Sequence, residues 1–176
     1  SPGEAGGMTV TVAELTVTGD QLRAAVGTFP SGVTVVTTLK EDGSDVGLTV
    51  SAFSSLSLEP AMVVLAVDNG STSLPYLTVG APLGISVLAD GQGPVAYQFS
   101  RRGVDRFAGV DTHRGGRGVA LLDGAAAWFA GEIVHAYPGG DHTILTVAVH
   151  DCGTHESARP LLYQRGQVHD WPECQI

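Results

Sequence analysis

From Ser31 to Val67 the chain reads as strand, turn, strand, strand. Val33-Thr34-Val35-Val36-Thr37-Thr38 is a β-branched run, Lys40-Glu41-Asp42-Gly43-Ser44 is a hairpin turn, and Gly47-Leu48-Thr49-Val50-Ser51-Ala52-Phe53 resumes the strand pattern before the apolar run Ala61–Val67. Branched side chains are stiff at χ1 and fit a pleated surface, while Asp-Gly supplies the positive φ of a tight hairpin. The spacing predicts strands over 32–39, 46–53 and 61–67. Further strands are expected near 83–89, 119–122, 125–136, 143–151 and 161–168. Only three short helices interrupt them. The first covers 19–28, capped by Asp20 with Leu22, Ala25 and Val26 on one face. The second covers 71–79, capped by Ser71 or Ser73 with Pro75 in its first turn, and the third covers 93–100. Residues 101–118, rich in glycine and arginine, read as a long excursion. Strands without strict βαβ alternation point to a mostly β fold, an antiparallel barrel with peripheral short helices.

No composition break or repeat divides the 176 residues, so one domain is expected over 18–170. Residues 1–17 would be a partly disordered N-terminal extension, with Ser1–Gly7 either a tag remnant or native, and 171–176 a C-terminal tail. A net charge of −9, with one lysine and eight arginines, argues against nucleic acid or an anionic membrane as partner. No run of about 20 apolar residues and no secretory signal is read, and Cys152 and Cys174 are expected to be reduced thiols in a cytoplasmic protein. Charged residues make up only 15% of the chain, which favours self-association.

The same residues exclude several chemistries. Gly115-Gly116-Arg117-Gly118 is not the dinucleotide-binding G-x-G-x-x-G, and the sole lysine, Lys40, lies in a charged hairpin, which removes Walker A and nearly removes pyridoxal phosphate chemistry. There is no G-x-S-x-G elbow. His150, Asp151, Cys152 and His155 are ligand types, but the strand splits them between faces and nothing completes four ligands, so no metal site is expected.

Two hydroxyl clusters remain. Thr49, Ser51, Ser54 and Ser55 are either the polar outer face of a hairpin strand or donors to a phosphate, and Asp68-Asn69-Gly70-Ser71-Thr72-Ser73 is either an ordinary helix cap or the second half of such a cradle. Gly139-Gly140-Asp141-His142-Thr143 reads as a turn unless His142 has a role. Arg101, Arg102, Arg106, Arg114 and Arg117 are either a solvated loop or neutralise the phosphates of an acidic cofactor.

In order and spacing these segments resemble the flavin reductase-like family, the FMN-binding split barrels that supply reduced flavin to two-component monooxygenases. The likeness runs over roughly 19–170. It rests on the strand and turn segments above, on Gly84–Gln92 followed by Val95–Ser100, on Arg106-Phe107-Ala108-Gly109-Val110, on the Gly-Asp-His corner and on Pro160–Gly166. Ile85 and Ser86 depart from the family's usual aromatic-or-apolar and asparagine positions.

The resemblance implies an antiparallel split β-barrel in which Val33, Thr34 and Val35 line the flavin ring. Thr49, Val50, Ser51, Ala52, Ser54 and Ser55 would grip the ribityl chain and phosphate, and Val67, Asp68, Ser71 and Ser73 would complete the phosphate side. Phe99 and Tyr163 would border the pocket, and His142, the one residue assigned to catalysis, would position the nicotinamide. The implied activity is NAD(P)H-dependent reduction of FAD or FMN by hydride transfer to N5, with NADH favoured over NADPH. A homodimer is implied, as is a flavin-dependent monooxygenase that takes reduced flavin by diffusion. Two alternatives stay open: a flavin-binding or storage protein without turnover, and an oxidase of the pyridoxamine-phosphate type, for which the chain is poor in basic residues.

Overall fold

The computed structural model describes residues 16–173. Eleven strands and two helices follow in the order α1 (Gly19–Val26), β1 (Thr34–Leu39), β2 (Asp45–Val50), β3 (Phe53–Leu58), β4 (Ala61–Asp68), β5 (Pro82–Val87), α2 (Gly93–Gln98), β6 (Thr112–Arg114), β7 (Ala120–Leu122), β8 (Ala127–Gly139), β9 (His142–Thr154), β10 (Leu162–Gln164) and β11 (Gln167–His169). Seven strands form one sheet in the order β2-β1-β5-β8-β9-β4-β3, and every pairing is antiparallel. The two edge strands, β2 and β3, are consecutive in sequence, and only Ser51 and Ala52 separate them. A link that short forces the sheet to curl until its edges adjoin, because each residue spans at most ~3.6 Å. Ala66 N donates to Ala52 O at 3.0 Å at this seam. The expected mostly β, antiparallel architecture with short peripheral helices is what forms.

Alternation along the strands makes two cores. Val36, Leu48, Val50, Leu65, Ile85, Ile133 and Leu145 fill the inside of the curled sheet. Val33, Val35 and Leu88 face outward and are covered by Ala96 and Phe99 of the α2 segment, by Leu122 and by Leu161. Neighbouring residues such as Val35 and Val36 therefore enter different cores, as a period of two requires. Gly47 allows the close approach on the α2 side: a Cβ there would lie 2.6 Å from Phe99 Cε1 and 2.9 Å from Phe107 Cζ.

Several local expectations are corrected. The strand placed at 46–53 is two strands on opposite edges of the sheet, since the ladder with β1 ends at Val50 and Phe53 pairs with Leu65 of β4. The helix placed at 71–79 shrinks to one 3-10 turn, Leu74–Tyr76, preceded by Ser73 without a side-chain capping bond. The strand at 161–168 is a hairpin, β10–β11, turning at Arg165 and Gly166, both at positive φ. The first helix is capped by Thr18, not Asp20: Gln21 N donates to Thr18 Oγ1 and Thr18 N donates to Gln21 Oε1, a reciprocal capping box. The excursion at 101–118 contains β6, whose pairing with β7 the sequence pattern did not announce. The calls on residues 1–15 and on Cys174 lie outside the described residues, and Cys152 is a free thiol. Among the described residues no helix is long and apolar enough to cross a membrane, and no cluster of three metal-ligand side chains forms.

Candidate functional site

Two cavities meet at the seam between the sheet edges. The smaller, about 280 Å³, lies where the ends of β2 and β4 approach the α2 segment and the arginine loop. Its walls include Thr49, Val50, Ser51, Ala52, Val67, Asp68, Ser71, Thr72, Phe99, Ser100, Arg102, Arg106 and His142. The larger, about 1150 Å³ and open, runs between the sheet and α1 and is floored by the β10–β11 hairpin. Ser51, Ala52, Ala66 and His142 belong to both walls. The two spaces are thus halves of one groove.

The small cavity is built for an anion. Arg106 Nη1 donates to Gly47 O (2.8 Å) and Ser73 Oγ (3.3 Å), and its Nε donates to Arg101 O (2.8 Å). Burial, and then the charge of Arg102, holds the Arg106 guanidinium below its usual range, though it stays cationic. Arg102 Nη2 donates to Gly70 O at 2.8 Å. None of these bonds goes to a carboxylate. By contrast Arg114 is paired with Asp45 and Arg117 with Glu132. Two guanidiniums without a paired acid among the described residues, facing Ser51, Ser71 and Thr72, suit a phosphate ester. The nearby carboxylate, Asp68, has its Oδ1 engaged by Gly70 N at 2.6 Å.

His142 stands where the halves join. Gly140, at φ +70°, allows a two-residue turn between β8 and β9, and Gly139 pairs with His142 across it. On its other side His142 pairs with Asp68 at the end of β4. His142 Nδ1 lies 2.7 Å from Asp141 Oδ1. Asp141 sits below its ordinary range, first because of that hydrogen bond and then because of the imidazole's charge. An ionised carboxylate only accepts, so Nδ1 carries the proton and donates, which leaves Nε2 on the opposite side of the ring.

The expected site residues fall into three groups, with Ser51, Ala52 and His142 shared by both cavities. Thr49, Val50, Ser51, Ala52, Val67, Asp68, Ser71, Phe99 and His142 line the small cavity, while Ser54 and Tyr163 line the large one. The Thr49 hydroxyl, however, donates to Ala96 O at 2.6 Å, so its proton is engaged in joining β2 to α2. Val33, Thr34 and Val35 reach neither cavity: all three are buried, and the Thr34 hydroxyl donates to Val50 O. Ser55 is exposed on the outer edge of β3, and Ser73 is buried behind Arg106. Thr72, Arg102, Arg106 and the α1-side residues Asp20, Arg23 and Phe29 were not singled out as site residues. The five-arginine cluster was the available signal for Arg102 and Arg106, but only the fold separates them from Arg114 and Arg117.

Comparison with known proteins identifies the family. Residues 26–172 match the family model described as flavin reductase like domain. An NADH-dependent flavin reductase from Rhodococcus sp is 37% identical over 165 residues, covering 90% of this chain and 91% of that protein. The reductase component of the flavin-dependent trigonelline monooxygenase of Acinetobacter baylyi is 37% identical over 125 residues, 71% of this chain. This chain spans only 40% of the Acinetobacter protein's length. Among solved structures, the NADH:FAD oxidoreductase SgcE6 of Streptomyces globisporus in complex with NAD and FAD fragments superposes with a TM-score of 0.84 at 34% identity, covering 93% of this chain and 100% of that one.

Proposed function

The chain belongs to the flavin reductase-like family, and from that premise we propose that it reduces free FAD or FMN with NADH. The observation that carries the reading is the pair of cavities sharing His142, Ser51, Ala52 and Ala66. The small one fits a flavin's phosphate by its donor set. The large one has room for the isoalloxazine and a nicotinamide against it. The cofactors supply the redox chemistry, a hydride passing from the nicotinamide C4 to flavin N5. The chain's residues bind and align. Arg102, Arg106, Ser71 and Thr72 hold the phosphate, Ser51 and Ala52 border the ring, Tyr163 backs it, and His142 directs Nε2 toward the carboxamide. A hydride step needs no general base, which accords with the absence of an acid–base dyad in these assignments. Alignment to roughly 3–3.5 Å with partial exclusion of water is the protein's contribution.

NADH is favoured over NADPH because the Rhodococcus relative is an NADH-dependent flavin reductase. A second copy of the chain is proposed to cover Val26 and Phe29, exposed to 58% and 77% on the wall of the large cavity, and so to close its open side. The partner enzyme is a flavin-dependent monooxygenase that receives reduced flavin by diffusion, and the proposed location is cytoplasmic. Turnover tests the reading. Purified protein mixed with NADH and excess FMN should oxidise many equivalents of NADH, followed at the nicotinamide absorbance band. Bleaching of one equivalent without turnover would favour the storage alternative. His142→Ala should weaken use of NADH more than binding of FMN, and equal loss of both would remove its assigned role.

A further inference from the structure

One tie in the site is made by a residue that touches neither cavity. Asn69 follows β4 and opens the turn that carries Ser71 and Thr72. Its backbone N donates to Asp141 O at 2.9 Å, its Nδ2 donates to Gly140 O at 3.4 Å, and its Oδ1 accepts from Thr143 Oγ1 at 2.7 Å. Gly140, Asp141 and Thr143 flank His142 on both sides. A two-residue hairpin tip with a positive-φ glycine has few contacts of its own, and its placement depends on such cross-links. We propose that Asn69, acting with the Thr143 hydroxyl, is a positioning residue that fixes the Gly139–Thr143 corner and thereby sets His142 over the groove. The inference rests on the flavin reductase reading above.

The phosphate turn does not need this tie. Asp68 Oδ1 accepts from Gly70 N and Arg102 donates to Gly70 O, and neither bond involves the Asn69 side chain. Loss of the tie should therefore loosen the nicotinamide side and leave the flavin phosphate side in place. That asymmetry separates positioning from general damage to the fold.

The test measures NADH KM at saturating FMN and, separately, the FMN Kd, for Thr143→Val, Thr143→Ser, Asn69→Ala and the Asn69→Ala/Thr143→Val pair. Valine matches threonine in shape and removes only the hydroxyl. Thr143→Val and Asn69→Ala should each raise NADH KM at least about fivefold, because small misplacements at a reacting centre are costly, while FMN Kd stays within about twofold. The double variant should be no worse than the poorer single one, as expected for two groups sharing one bond. Thr143→Ser, which keeps the hydroxyl, should behave as wild type. Unchanged NADH KM, a parallel rise in FMN Kd, additive effects, or a serine variant as poor as valine would each overturn the inference. His142→Ala, run alongside, distinguishes the two levels. If it raises NADH KM and Thr143→Val does not, only the role of Asn69 fails; if His142→Ala itself has no effect, the reading of the corner fails.

Discussion

Arg102→Ala separates the phosphate cavity from the rest of the groove. Arg102 is exposed, faces the small cavity and bonds within the protein only to Gly70 O, itself exposed, so its removal should cost the fold little. A charge-assisted hydrogen bond contributes about 1.5–3 kcal/mol when shielded, and solvent access at this position reduces that to about 1–2 kcal/mol. At 1.4 kcal/mol per factor of ten, FMN should bind roughly 5- to 30-fold more weakly. Riboflavin, which has the same ring and ribityl chain but no phosphate, should bind as it does to wild type. Quenching of flavin fluorescence on titration gives both constants. Added salt should also weaken FMN binding to wild type more than to the variant, since it screens the lost contact. An equal loss for FMN and riboflavin would refute the assignment of the small cavity to the phosphate. So would an unchanged FMN constant.

Three further outcomes follow from the geometry. Gly47→Ala would set a methyl group 2.6 Å from Phe99 Cε1, so overpacking of about 1–3 kcal/mol should appear as a Tm lower by roughly 2–12 °C in calorimetry, and an unshifted Tm would contradict the close approach. Phe29→Lys should convert the proposed dimer to monomers in sedimentation and weaken FMN binding as the large cavity loses its second wall; a variant that stays dimeric excludes that face as the interface. The third concerns pH. Asp141 is depressed in the folded state by its bond from His142, so the stability it contributes is complete above its ordinary value of 3.8 and is lost as pH falls through the lowered value. Asp141→Asn should therefore lose stability less steeply than wild type in denaturant titrations below about pH 4, and identical acid limbs would contradict the pairing.

The strands were legible wherever the pattern of two coincided with a buried face. β1, β4 and β5 fall within a residue or two of their expected places because alternate apolar residues there, Val36 in β1, Val63, Leu65 and Val67 in β4, and Leu83 and Ile85 in β5, enter the inner core. The expectations that failed have separate causes. Ser71 to Val79 has the cap residues and the proline of a helix start, yet Leu74 and Leu77 supply the only inward anchors, and the chain settles for a single 3-10 turn. Arg165-Gly166 breaks the last strand through positive φ at a non-glycine residue, which propensity does not announce. The arginine loop was visible as a cluster, but charge pairing across the fold decides which members are free. Asp45 and Glu132, which claim Arg114 and Arg117, lie 69 and 15 residues away in sequence.

The deepest discrepancy is also the most useful one. Thr49 to Ser55 looks continuous because its residues keep a strand's composition, yet the hydrogen-bonding partner changes from β1 to β4 within it. Ser51 and Ala52 lie outside both ladders. Curling a seven-strand sheet until its edges meet leaves this short link outside the ladders, its two carbonyls taken by Phe53 N and Ala66 N, and both cavities open there. The hydroxyl-rich strand end therefore marks the proposed site for a reason that composition alone does not contain: it is the point where the barrel joins itself.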